Sequence, residues 1–183
     1  AALGIVNIIL NSKLDISLSK IIDFSLELYK DAGILTGNKE EIAQSIMEFF
    51  KDRVINVLSK QENKKDIVEA VVAADYDNIK EVEKKIEILQ NLSSKDEFKD
   101  IILLIKRVRN ISKDFETINI DKTLFEKEEE KALYKYYETL EENTKINLAK
   151  RDYEAFFNDV LSGKKVINNF FDIPGRRYLL RNQ

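Results

Sequence analysis

Neither cysteine nor histidine occurs among the 183 residues. Without cysteine there can be no disulfide, no thiolate nucleophile and no thiolate metal site. Without histidine the usual general base, the usual zinc ligand and every Ser-His or Cys-His pair are gone as well. Five glycines and one proline are the whole complement of chain breakers, and the glycines form no GxxxxGK[ST] or GxGxxG phosphate cradle. No run of eighteen apolar residues exists, so no membrane span is predicted. The opening Ala1-Ala2-Leu3-Gly4-Ile5 lacks the basic start of a signal peptide. It is already apolar and helical in pattern and does not start with methionine, so the chain reads as a segment of something longer, and the lack of cysteine fits a reducing compartment. Chemistry by this segment alone is not expected.

Against those absences, 44% of residues are hydrophobic and 34% charged, the balance of a folded globular chain. The net charge of −3 provides no global attraction to nucleic acid. Any such binding must come from a local basic patch.

Leucine, isoleucine, glutamate and lysine recur at helical spacing throughout, which predicts an all-α bundle of about eight to nine helices with short connections. Helices are expected over residues 1–10, 18–30, 39–59, 66–73, 79–92, from about 96, over 123–142, from about 150, and after Gly163. Gly33 and Gly37 mark a loop. A boundary there separates residues 1–36, a helical hairpin, from residues 37–172, with residues 173–183 as an atypical tail. Ser94 with Glu97, and Thr123 with Glu126, read as capping boxes that open two of the helices.

Placing Phe98 at zero on a helical wheel puts Ile101, Ile102, Ile105 and Val108 within about 80° of it, one apolar stripe. Arg107 falls opposite and Lys106 on the flank, while Arg109 lands inside the stripe. Arg53 occupies the same position in the stripe Ile42, Ile46, Phe49, Phe50, Val54, Val57 and Leu58. An arginine in an apolar stripe is costly unless it finds a partner or lies where another molecule docks.

Several short motifs then fall in one order: Phe49-Phe50-Lys51-Asp52-Arg53, Asp66-Ile67-Val68-Glu69-Ala70-Val71, Lys106-Arg107-Val108 with Asn110-Ile111, and Leu124-Phe125-Glu126. Glu130-Lys131-Ala132-Leu133-Tyr134, Asp152-Tyr153 and Asn169-Phe170-Phe171-Asp172 complete the series. Together they resemble the C-terminal region of the bacterial glycyl-tRNA synthetase β subunit, over residues 1–172. That resemblance implies an all-α anticodon-binding domain of the type shared with arginyl-tRNA synthetase. It also implies tRNA(Gly) and a catalytic α subunit as partners, neither DNA nor a membrane, and a parent cytoplasmic glycine–tRNA ligase that uses ATP and magnesium outside this segment. The sequence departs from the family's pattern at residues 173–183, and at position 109, where the family carries a small or polar residue.

The candidate tRNA-binding residues are thus Lys106, Arg107, Arg109, Asn110, Arg53 and Tyr134. Lys106 and Arg107 suit phosphate contacts, or else form a solvated helix face. Arg53, in a motif that includes Asp52, reads as a buried, paired structural residue, or else as an RNA contact. Asn110 either reads a base edge or satisfies a loop carbonyl. Tyr134, Tyr136 and Tyr137 offer stacking surfaces for unpaired bases, or pack a core. The acidic run from Glu126 to Glu130 favours a helix N-terminus and is not read as a metal site. Arg176, Arg177 and Arg181 in the tail would suit phosphates. A competing expectation is a non-catalytic helical interaction module that docks synthetase subunits without touching RNA.

Overall fold

The computed structural model describes residues 1–113 and 120–172, the side chains of Glu97 and Ile111 excepted. Among them are nine α-helices: α1 (Ala2–Asn11), α2 (Leu18–Asp31), α3 (Lys39–Ser59), α4 (Lys65–Ala74), α5 (Ile79–Ser93), α6 (Asp96–Ser112), α7 (Glu128–Ala149), α8 (Tyr153–Ser162) and α9 (Lys164–Phe171). A 3-10 turn spans Lys122–Leu124. No strand is present among the described residues, so the all-α expectation holds. Expectations for the tail, Arg176, Arg177 and Arg181 included, lie outside them.

The chain divides into two compact units, Ala1–Asn91 and Leu92–Gln183. The boundary drawn from sequence near residue 36 falls inside the first. The reason is that α1 and α2 bury Val6, Ile9, Leu10, Leu18, Ile22 and Leu26 in the same core as Phe50, Val54 and Leu58 of α3. That core continues through Val68 and Val72 of α4 to Ile79, Val82 and Ile86 of α5. Fully burying one such side chain is worth about 1.5–3 kcal/mol, so this one cluster dominates the unit's stability. Gly33 and Gly37 end α2 at φ values of 68° and 101°, a region that side chains with a Cβ rarely adopt.

The start of α2 is tied to the distant α4–α5 connection. The Ser19 N–H donates to Asp77 Oδ1 at 2.7 Å and the Leu18 N–H to the Asp77 carbonyl at 2.9 Å. Burial alone would raise the Asp77 carboxyl, but hydrogen bonds from the Ser17 hydroxyl and from Ser19 outweigh it and hold it below its ordinary value.

The second unit is built differently. Here α7 packs against α8 and α9, and α6 against α8 and α9. No described residue of α7 or α8 is fully buried. The apolar set Tyr153, Phe156, Phe157, Val160 and Leu161 is half-buried throughout. Its tightest joint is Tyr136, whose hydroxyl donates to the carbonyls of Asp159 (3.1 Å) and Val160 (3.2 Å) at the end of α8. Gly163 is what lets the ring in, because a Cβ there would overlap Tyr136 Cζ and Oη.

One expected helix start is displaced. α7 begins at Glu128 rather than 123, since Asp121 caps the 3-10 turn by accepting from the Thr123 N–H at 2.9 Å. Glu130 then accepts from the Lys127 N–H at 2.9 Å, which supplies the carboxylate half of a capping box four residues later than predicted. α6 starts where expected, at Asp96, after Lys95, which provides no side-chain cap.

Candidate nucleic-acid interface

Of the six sequence-predicted residues, Arg53 lies in the first unit and the other five in the second. The helix α6 buries Ile101 and Leu104, whereas Ile105 and Val108 of the predicted stripe are exposed. Its buried arc is therefore rotated toward Leu104, a residue the periodicity passed over. With that rotation the Arg109 conflict disappears, because Arg109 is exposed on the helix surface. Arg53 also needs correction. It is half-buried, its guanidinium carbon stands 3.4 Å from the centroid of the Phe49 ring, and its Nη1 donates to the Phe49 carbonyl at 3.0 Å. A cation–π stack on a ring that is itself 50% exposed takes the place of the expected buried pairing.

Lys106, Arg109 and Asn110 are all exposed and share one face of α6, at i, i+3 and i+4. Lys113, which caps the helix at i+7, extends that face, and Lys99 lies one heptad before Lys106 on the same line. Sequence reasoning missed both, although their seven-residue spacing was visible. None of Lys99, Lys106, Arg109 and Lys113 is paired with a carboxylate among the described residues. Elsewhere in this unit four lysines are engaged: Lys122 with Glu138 (2.8 Å), Lys131 with Glu128 (2.7 Å), Lys145 with Glu141 (2.9 Å) and Lys164 with Asp100 (2.7 Å). Arg107 belongs to a different side of the helix. Its guanidinium carbon lies 4.4 Å from the centroid of Phe171 in α9.

The three tyrosines do not act as one cluster. Tyr136 turns inward to its carbonyl pair, as core packing requires. Tyr134 sits between Phe125 (centroids 5.6 Å apart) and Tyr137 (5.9 Å), with Lys122 Nζ 4.3 Å above its ring. The hydrogen bond to Glu138 raises the Lys122 ammonium above its ordinary value, and the Glu141 charge raises the Tyr137 hydroxyl. This patch is consequently neutralised from within, with Glu138 and Glu141 set among the cations.

Each unit carries a depression among its described residues. In the second unit a cleft of about 310 Å³ is lined by Leu92, Lys95, Phe98, Leu161 and Lys164, near the start of α6. In the first unit an apolar groove of about 540 Å³ is lined by Ile5, Ile21, Tyr29, Ile34, Ile42 and neighbours. No group of three or more residues that could hold a metal ion occurs among the described residues, and no helix there is long and apolar enough to cross a membrane.

The family model described as the glycyl-tRNA synthetase beta subunit matches residues 1–73. Among curated proteins, the glycine–tRNA ligase beta subunit of Geotalea daltonii is 34% identical over 172 residues, which cover 94% of this chain and 25% of that protein. That of Syntrophus aciditrophicus is 31% identical over 171 residues, or 93% of this chain and 24% of the relative. The counterpart from Clostridioides difficile is 27% identical over the same shares. The chain spans about a quarter of the length of these relatives. The ordered motifs, the all-helical architecture and these matches agree: the chain belongs to the glycyl-tRNA synthetase β-subunit family.

Proposed function

We propose that the chain is a non-catalytic, tRNA-binding part of a glycine–tRNA ligase β subunit. In this reading the parent ligase charges tRNA(Gly) with glycine, ATP and magnesium serve chemistry housed on a partner α subunit, and this segment holds the RNA. The observation that carries it is the run of exposed cations on α6, free of carboxylate partners among the described residues, in a chain whose net charge is negative. Surface lysines and arginines normally sit among opposite charges, and a one-sign face supplies the local attraction that the whole chain lacks.

Fluorescence anisotropy with labelled tRNA(Gly) tests this. Reversing Lys106 and Arg109 together to glutamate lowers the affinity by at least tenfold. The same charge change made at Lys60 and Lys135, both exposed and off α6, leaves most of the affinity intact. Equal losses from both pairs, or from neither, would remove α6 from the site. An anticodon role is part of this proposal and rests on the family resemblance.

One observation favours the competing interaction module for the first unit alone. Ile21 and Ile34 line the apolar groove and remain largely exposed there, the character of a docking surface. Its occupant on that reading is the catalytic α subunit. Loss of co-purification in Ile21→Asp with Ile34→Asp, at unchanged tRNA affinity, would support it.

A further inference from the structure

We infer that the outward side of α1, from Leu3 to Ile8, is an intramolecular packing face, covered in the complete β subunit by polypeptide of that same subunit lying outside this chain; this rests on membership of the family and not on RNA binding. α1 is the one described helix without a charged residue. Its inner side is accounted for, because Val6, Ile9 and Leu10 are buried in the core of the first unit. A helix with water as its lasting neighbour carries charged and polar residues on the other side. Here that side holds Leu3, 48% exposed, and Ile8, 59% exposed, with Gly4 and Asn7 between them. The neighbouring helices differ. Exposed positions of α2 include Lys20, Asp23 and Lys30, and those of α3 include Glu40, Glu48 and Asp52.

Gly4 points the same way. It lies in the first turn of α1, where alanine is the better helix former, and a Cβ added to it would meet nothing within 4 Å. Nothing within this chain calls for glycine there. An outward-facing glycine admits the close approach of another backbone, which only polypeptide outside this chain can make. A separable partner, whether another subunit or a second copy, leaves the face in water until the two meet. Interfaces of that kind keep a polar rim, and an uncharged apolar patch left open invites aggregation. Polypeptide of the same subunit is instead held at high effective concentration throughout. There is ample length for it, since this chain spans about a quarter of its relatives and leaves about three quarters of such a subunit outside. The match to the β-subunit family model falls on residues 1–73, the stretch that contains α1. Of α1 only Ile5 lines the apolar groove of the first unit, so the face at Leu3, Gly4 and Ile8 is distinct from it.

The experiment uses the full-length β subunit, purified without its α subunit and carrying Ile8→Cys or, in a second variant, Leu3→Cys. Alkylation by N-ethylmaleimide is followed peptide by peptide in a mass spectrometer, and each native rate is divided by the rate in urea. Lys60→Cys, at an exposed lysine just after α3, is the control. Both thiols on α1 should react at least about tenfold more slowly than the control, at every protein concentration, as buried side chains do. Rates equal to the control overturn the inference. So does protection that appears only when the α subunit is added, which assigns the face to that partner, or only as protein concentration rises, which assigns it to a second copy. Gly4→Leu gives an independent reading: the Tm of the full-length subunit should fall by about 2 °C or more, and an unchanged Tm overturns the close approach at Gly4. No RNA is present, so failure here leaves the tRNA-binding reading standing.

Discussion

Gly163→Ala is the perturbation whose outcome is most tightly set by the structure. The backbone at Gly163 has φ −72° and ψ −13°, which alanine adopts without strain. On backbone grounds alone the change should stabilise by about 0.4–1 kcal/mol, through lost freedom in the unfolded chain. The side chain reverses that sign. The new methyl would overlap Tyr136, whose ring is held by α8 and whose hydroxyl serves two carbonyls. Overpacking of this kind costs about 1–3 kcal/mol, and displacing the hydroxyl from its acceptors adds about 1–3 kcal/mol. The net expectation is a loss of about 1–5 kcal/mol, localised in the second unit. Urea unfolding followed by circular dichroism measures it. The two units need not unfold together, so a shift confined to one transition is the anticipated form. The companion measurement is Gly163→Ala in a Tyr136→Ala background, where the obstruction is gone and the methyl should be neutral or slightly stabilising. A neutral or stabilising Gly163→Ala in the unmodified chain would refute the packing argument.

Other consequences are quicker to state. Leu104→Ala should cost about 2–5 kcal/mol and Ile105→Ala less than about 0.5 kcal/mol, since only Leu104 is buried; the reverse order in urea unfolding would restore the sequence-based stripe. Arg53→Ala should cost no more than about 1 kcal/mol, because an exposed cation–π stack and one carbonyl hydrogen bond are lost, and no buried charge is orphaned. The carboxyl of Asp77 is lower in the folded chain than its ordinary value of 3.8. Its contribution is therefore present above about pH 4 and is lost as pH falls through the folded-state value. Asp77→Asn should accordingly reduce the difference in stability between pH 6 and pH 3, and an unchanged difference would show that the clasp on α2 does not titrate.

Much of the fold was legible because strong apolar periodicity leaves little choice. The bounds of α3 were read correctly at both ends, where Asn38 accepts from the Glu41 N–H and an unbroken stripe runs to Leu58. The displaced start of α7 was not legible. Asp121 offers a cap to a short 3-10 turn before the helix proper, and a Thr-x-x-Glu pattern cannot tell which of two nearby starts wins. Of the site, the cations of α6 were visible, but their environment was not. Five successive apolar residues, Ile101 to Ile105, let the wheel be rotated either way. Only packing against α8 and α9 decides that Leu104 goes in and Arg109 stays out. The partition of the tyrosines had no local signal either, since it depends on the carbonyls at the end of α8, more than twenty residues away.

The account stands or falls on the ionic-strength dependence of tRNA(Gly) binding by the unmodified chain. With the four cations of the α6 face, which have no carboxylate partner among the described residues, engaging phosphates, affinity should drop on the order of 100-fold between 50 and 200 mM salt. An affinity that hardly moves over that range, or no complex at all at 50 mM, would contradict a grip made of lysine and arginine on an RNA backbone.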